Sequence, residues 1–217
     1  MSELFDCSDP GQRQAGIASA ISALKGGRLV VLPTDTVYGI GADAFDGTAV
    51  AALLAAKGRG RDMPVPVLVG SWHTIDGLVY SVPDAARELI QAFWPGALSL
   101  VVRQAPSLQW DLGDAYGTVM LRMPLHPIAI ELLREVGPMA VSSANISGRP
   151  AAVNAADARE QLADLVEVYL EAGTSAQQAA STIIDLTGAQ PKVLRQGPIT
   201  AAAIADVLGV EAESLAV

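Results

Sequence analysis

Apolar and polar positions alternate along this chain in two rhythms. Residues 10–25, PGQRQAGIASAISALK, carry apolar side chains near helical spacing and run into Gly26-Gly27, a natural C-cap. The next run, RLVVL at 28–32, is short, β-branched and apolar throughout, the pattern of a strand buried on both faces. Asp46 is placed to cap a helix over GTAVAALLAAK, and Gly58 to end it. Beyond it, the pattern predicts a strand at 65–69, a helix at 84–93 with Pro83 near its start, and a rigid WPG turn at 94–96 with its indole in the core. Strands follow at 98–103 and 117–122, a helix at 127–135, a strand at 138–142, a helix at 155–163, strands at 165–170 and 181–186, and a last helix at 200–208. Helices and strands interleave without strict βαβ regularity, so the expected fold is α/β: a twisted, mostly mixed sheet flanked by helices. No linker or repeat divides the chain. The reading is an N-terminal extension over 1–12, one domain over 13–208 and a short acidic tail over 209–217.

Composition narrows the function classes. The chain has 217 residues and no apolar stretch near the roughly 18 residues of a membrane span. Its start, MSELFDCSDPG, lacks the apolar core and cleavage site of a secretion signal, so the expected location is cytoplasmic and no membrane partner is expected. Cys7, His73 and His126 are too few and too scattered for a zinc site, and no protein-held metal is expected. The formal net charge of −9 opposes nonspecific binding to a polyanion. Any nucleic-acid role must rest on a local basic site, and Lys57, Arg59 and Arg61 in KGRGR form the densest one.

The unusual polar residues gather in loops at predicted strand ends: PTDTVYG (33–39), KGRGR (57–61), SSANISG (142–148), and STIIDLTG (181–188) with VLRQG (193–197). Arg122 ends a further apolar run, TVMLR. Ligands in α/β proteins sit outside strand ends, so convergence of these loops on one cleft is the natural expectation. Guanidinium forks, hydroxyls and glycine-exposed amides make a phosphate-binding inventory, with a nucleotide as the leading ligand. The chain holds no Gly-Lys pair, hence no P-loop. Gly39-x-Gly41-x-x-Ala44 is a poor dinucleotide fingerprint, because PTDTVY separates it from the strand. SSAN lacks the flanking glycines of a nucleophile elbow, and His126 reads as a turn residue, so acyl-enzyme chemistry is disfavoured.

Taken together, PTDTVYGIGADA, the Lys-x-Arg of Lys57 and Arg59, WPGALSLVV, LRMP, SSANISG and STIIDLTG…VLRQG resemble the YrdC domain of the threonylcarbamoyl-AMP synthase family over about residues 13–208. The resemblance implies the short, single-domain form of that family, with helices and sheet around a deep, positively lined cavity. It implies a nucleotidyltransferase that joins L-threonine, bicarbonate and ATP, with Mg²⁺ on the nucleotide, into threonylcarbamoyl-AMP and pyrophosphate. A separate threonylcarbamoyl transferase complex, met transiently, then modifies tRNA, with room for a weak direct tRNA contact. By the same resemblance Lys57 and Arg59 are the catalytic pair on the triphosphate. Ser143, Asn145 and Arg195 complete the ATP site, while Thr34, Arg122 and Ser181 bind threonine and Asp35, Thr36 and Tyr38 shape the loop. Gly60 and Met63 depart from the family, which often has Pro and a polar residue there. Competing readings are a carbamoyl-adenylate step in hydrogenase maturation, a tRNA- or double-stranded-RNA-binding module without catalysis, and a dinucleotide oxidoreductase.

Overall fold

The computed structural model describes residues 2–216. Seventeen labelled elements follow in order: β1 Glu3–Asp6, α1 Pro10–Lys25, β2 Val30–Leu32, β3 Gly39–Asp43, α2 Gly47–Ala56, β4 Val67–Leu68, α3 Ile75–Leu78, α4 Asp84–Phe93, β5 Leu98–Arg103, β6 Thr118–Arg122, α5 Pro127–Val136, β7 Met139–Ser143, α6 Ala155–Leu162, β8 Val168–Glu171, β9 Thr182–Asp185, β10 Lys192–Arg195 and α7 Ala201–Leu208. The strands form one ten-stranded sheet in the order β1-β8-β2-β3-β7-β4-β6-β5-β9-β10. Pairing is mixed: β1/β8, β2/β8, β4/β6 and β5/β9 are parallel, while β2/β3, β3/β7, β4/β7, β5/β6 and β9/β10 are antiparallel.

Both sheet faces are covered, which explains the unbroken apolar runs. Val30 and Leu32 point to one core with Ile17 and Leu24 of α1 and Leu132 and Leu133 of α5. Val31, between them, points to the opposite and larger core with Leu53 of α2 and Leu89 of α4. A strand's period of two thus feeds two cores from one apolar segment. The predicted caps form: Asp46 accepts hydrogen bonds from the amides of Thr48 at 2.9 Å and Ala49 at 3.1 Å, and Gly58 follows α2 in the left-handed region at φ 63°. Trp94 is buried, its indole N–H donating to the Leu98 carbonyl at 2.8 Å.

Three strands depart from the sequence reading. Residues 39–43, taken with the loop, form β3 in the middle of the sheet between β2 and β7. Residues 192–195 form β10 at one edge. Residues 3–6, assigned to an N-terminal extension, form β1 at the other edge, so that segment is partly within the sheet. The segment after Gly209 also packs back, with a short 3-10 turn at Ala212–Leu215 and Leu215 buried. Met1 and Val217, the outermost residues of those two terminal segments, lie outside the described residues.

Candidate active site

The hairpin of β2 and β3 lifts PTDTVY off the sheet and folds it on itself. The Thr34 hydroxyl donates to the Val37 carbonyl at 2.6 Å and accepts from the Thr36 amide at 3.2 Å. Its proton is therefore spent inside the loop, and its oxygen, which also lies 3.0 Å from the Thr36 hydroxyl, is engaged there too. Tyr38 anchors the loop's far end: its hydroxyl donates to Gly173 O at 2.7 Å and accepts from the Ala172 amide at 2.9 Å. Burial pushes the Tyr38 phenol well above its ordinary range, so it is a neutral donor here.

Arg122, at the end of β6, reaches across to this loop. It donates from Nε to Gly96 O at 2.8 Å, from Nη1 to Thr36 Oγ1 at 2.8 Å, and from Nη2 to Asp35 Oδ1. This is a buried ion pair, with side-chain exposures of 8% and 9%. Three of the five guanidinium N–H donors are accounted for, and two remain.

A cavity of about 200 Å³ opens beside the pair, lined among others by Thr34, Arg59, Arg122, Ser142, Ser143, Ser181 and Arg195. Ser181 shares a hydrogen bond with Ser99 at 2.8 Å, and Arg195 donates to the Ser181 carbonyl at 2.7 Å and 3.0 Å. Gly197 permits that approach, because a Cβ there falls on the Ala180 carbonyl and the Thr182 amide. Arg59 donates to Ser147 Oγ at 2.8 Å and lies 3.4 Å from Ser142 Oγ. Burial, and then the repulsion of Arg59, lowers the pKa of Arg195, and Arg195 in turn bears on Arg122. Three guanidinium groups thus stand within electrostatic reach of one another, an arrangement that an anion relieves.

Two expected site residues do not face the cavity. Lys57 is fully buried, and its ammonium donates to Ser143 O, to Asn145 O at 2.8 Å and to Asn145 Oδ1 at 3.3 Å. Asn145 is consumed in the same loop, donating to Ile146 O at 3.0 Å and Arg149 O at 2.8 Å. Both lie behind the wall and hold the backbone that presents Ser142 and Ser143. Arg61 goes a third way, forking onto Asp111 at 2.8 Å and 2.9 Å and reaching Asp114 at 3.2 Å. The basic run KGRGR is therefore not a basic face: one charge is interior, one in the cavity and one neutralised on the surface. The Gly39-x-Gly41 pair is also accounted for. Both glycines sit in β3, where a Cβ would come to 2.6 Å from Val141 and from Met139 respectively, so they serve packing and not a pyrophosphate.

Sequence reasoning passed over Ser99, although a lone hydroxyl inside the apolar run of β5 was the signal. Ser142, quoted only as part of its motif, is a wall residue in its own right.

The family model described as "Telomere recombination", covering Sua5, YciO and YrdC, matches residues 22–197. The chain belongs to the Sua5/YciO/YrdC family. Within that family it is 77% identical over 215 residues, 99% of each chain, to a putative threonylcarbamoyl-AMP synthase of Mycobacterium tuberculosis (strain H37Rv). The structure of Pyrococcus abyssi Sua5 complexed with L-threonine superposes with a TM-score of 0.86 at 36% identity, covering 89% of this chain and 57% of that one. Escherichia coli YciO shares the fold, with a TM-score of 0.80 at 24% identity over 91% of this chain and 97% of the other. No described helix is long and apolar enough to cross a membrane.

Proposed function

We propose that this chain is an L-threonylcarbamoyladenylate synthase, making threonylcarbamoyl-AMP and pyrophosphate from L-threonine, bicarbonate and ATP. The carrying observation is the convergence of Arg59, Arg122 and Arg195 with the hydroxyls of Thr34, Ser143 and Ser181 on one small cavity. High identity to the mycobacterial threonylcarbamoyl-AMP synthase supports the same reading.

The threonine amine adds to the bicarbonate carbon with loss of water, giving a carbamate. One carbamate oxygen then attacks the α-phosphorus of ATP, the bond to the β-phosphate oxygen breaks, and pyrophosphate leaves. No covalent enzyme intermediate is needed, so the protein's task is positioning and charge neutralisation. In this reading the two remaining donors of Arg122 take the threonine carboxylate, which a guanidinium fork matches bidentately. Thr34 and Ser181 line the space for the rest of the amino acid. Arg59 and Arg195 hold the triphosphate, and Ser143 bonds a nucleotide oxygen. Lys57 and Asn145 are positioning residues that keep 142–147 in place. Among the described residues no group of three or more His, Cys, Asp or Glu side chains clusters to hold a metal. The cavity's donor set is guanidinium and hydroxyl, which suits phosphate. Mg²⁺ would arrive with ATP as part of the substrate and would neutralise phosphate charge.

The product is a mixed anhydride, an activated acyl group for a separate threonylcarbamoyl transferase complex that modifies tRNA. With Lys57 buried, Arg59 in the cavity and Arg61 paired on the surface with Asp111 and Asp114, direct tRNA binding by that run is not part of the assignment.

Incubation with ATP, Mg²⁺, bicarbonate and L-threonine, followed by mass spectrometry, tests the proposal. We expect the mixed anhydride and pyrophosphate release that requires both threonine and bicarbonate. Equal formation of AMP and pyrophosphate without threonine overturns the substrate assignment.

A further inference from the structure

Arg59 stands between two glycines, in a stretch whose own sequence does little to hold it. Gly58 follows α2 in the left-handed region, and Gly60 adds the widest backbone freedom of any residue type. The Arg59 guanidinium meets the hydroxyls of Ser147 and Ser142, and among the described residues it has no carboxylate partner. Its charge is therefore open to an anion, provided that the backbone beneath it stays in place.

The restraint comes from outside the run. Two residues on, the Arg61 guanidinium forks onto both oxygens of Asp111 and reaches Asp114. Both carboxylates belong to residues 104–117, the connection between β5 and β6. The two backbones are joined as well: the Asp114 amide donates to Arg61 O at 2.7 Å, and the Val65 amide to Leu112 O at 2.8 Å. Gly113 permits that approach, with φ 102° and a Cβ position only 2.9 Å from Arg61 O and 3.1 Å from Pro64 Cα. The connection is itself anchored, because Leu112 is buried in the larger core and Trp110 stacks on Phe45 with ring centroids 5.6 Å apart. Residues 61–65 are thus pinned at both ends, and this segment carries Pro64 into the cavity wall that Arg59 shares.

The Arg61 cluster is exposed, at 55% for Arg61, 52% for Asp111 and 42% for Asp114, so its ion pairs add little to stability. What a bidentate fork supplies is geometry. Two carboxylates on one guanidinium also leave the cluster without net positive charge, so a polyanion is not held at Arg61 in place of Arg59.

We propose that the clasp of Arg61 on Asp111 and Asp114 positions Arg59, setting its guanidinium for the triphosphate of ATP. The identity of the anion rests on the function proposed above.

Calorimetry on the full chain with inorganic tripolyphosphate and with ATP, alongside thermal melts, tests this. Arg61→Ala is expected to weaken both ligands by about three- to tenfold, part of the loss expected on removing Arg59 itself, with the melting temperature near wild type. Asp111→Ala combined with Asp114→Ala is expected to weaken them similarly. The sign is diagnostic, since removing two negative charges would tighten an anion if only the long-range field mattered. In an Arg59→Ala background, Arg61→Ala is expected to cost nothing further. Unchanged affinity in Arg61→Ala, tighter binding in the double acid variant, the same loss with and without Arg59, or no binding of tripolyphosphate to the wild type overturns the proposal. Tripolyphosphate carries no nucleoside, so a wild type that shows this pattern yet makes no threonylcarbamoyl-AMP supports the clasp and refutes the proposed activity.

Discussion

Lys57 has three N–H donors and three acceptors around it, all from 143–145. Burial, with a smaller contribution from Arg59, pushes its pKa down from 10.5 to about 7. The unfolded chain therefore holds more protons than the folded one between about pH 7 and 10.5, and Lys57 adds stability as pH rises through that window. Unfolding of the wild type and Lys57→Met across this range is expected to show the wild type gaining on the variant as pH increases. A constant gap contradicts the shift. Arg59 faces the cavity, and Arg59→Ala is expected to weaken ATP by about tenfold to a hundredfold, the cost of one charge-assisted bond, while leaving threonine affinity near normal. Calorimetry with each substrate checks it. Arg122→Lys keeps the charge but not the reach to Gly96, Thr36 and Asp35 together. It is expected to lower the melting temperature and raise the threonine KM with ATP binding largely intact, and equal losses for both substrates contradict a role for Arg122 at the amino acid.

The elements divide cleanly by how local their causes are. Helices α1 and α2 were legible because periodicity, cap and terminating glycine all lie within their own residues. Strand β3 was not, since GIGAD has weak strand propensity and is made a strand by pairing with β2 and β7 from either side. Its glycines give a discriminating test. A Cβ at Gly39 meets a methyl of Val141, a β-branched side chain stiff in a strand. At Gly41 the nearest atom is the flexible end of Met139. Denaturant unfolding should place Gly39→Ala at a loss of about 1–3 kcal/mol, as for an overpacked core, and Gly41→Ala clearly below it. Asp46→Ala should cost about 1 kcal/mol through its lost cap bonds.

At the scale of the molecule, the sequence disclosed which residue types would meet but not which way each would face. Thr34, Arg59, Arg122, Ser143, Ser181 and Arg195 do line one cavity, brought there from six separate stretches of chain. Lys57 and Asn145 belong to the same motifs yet turn inward, a distinction set by three-dimensional partners that no local spacing encodes. The same whole-sheet view gives the cavity walls unequal stiffness. Ser142, Ser143 and Arg122 stand on β7 and β6, each paired on both sides in the middle of the sheet. Arg195 ends β10, an edge strand held by β9 alone, with a register irregularity between Val193 and Arg195. The site resembles a vice with one fixed jaw and one that yields. A nucleotide gripped by Arg195 tightens the yielding jaw, so ATP should slow amide hydrogen exchange more at 192–197 than at 139–143, where the backbone is already held in the closed state.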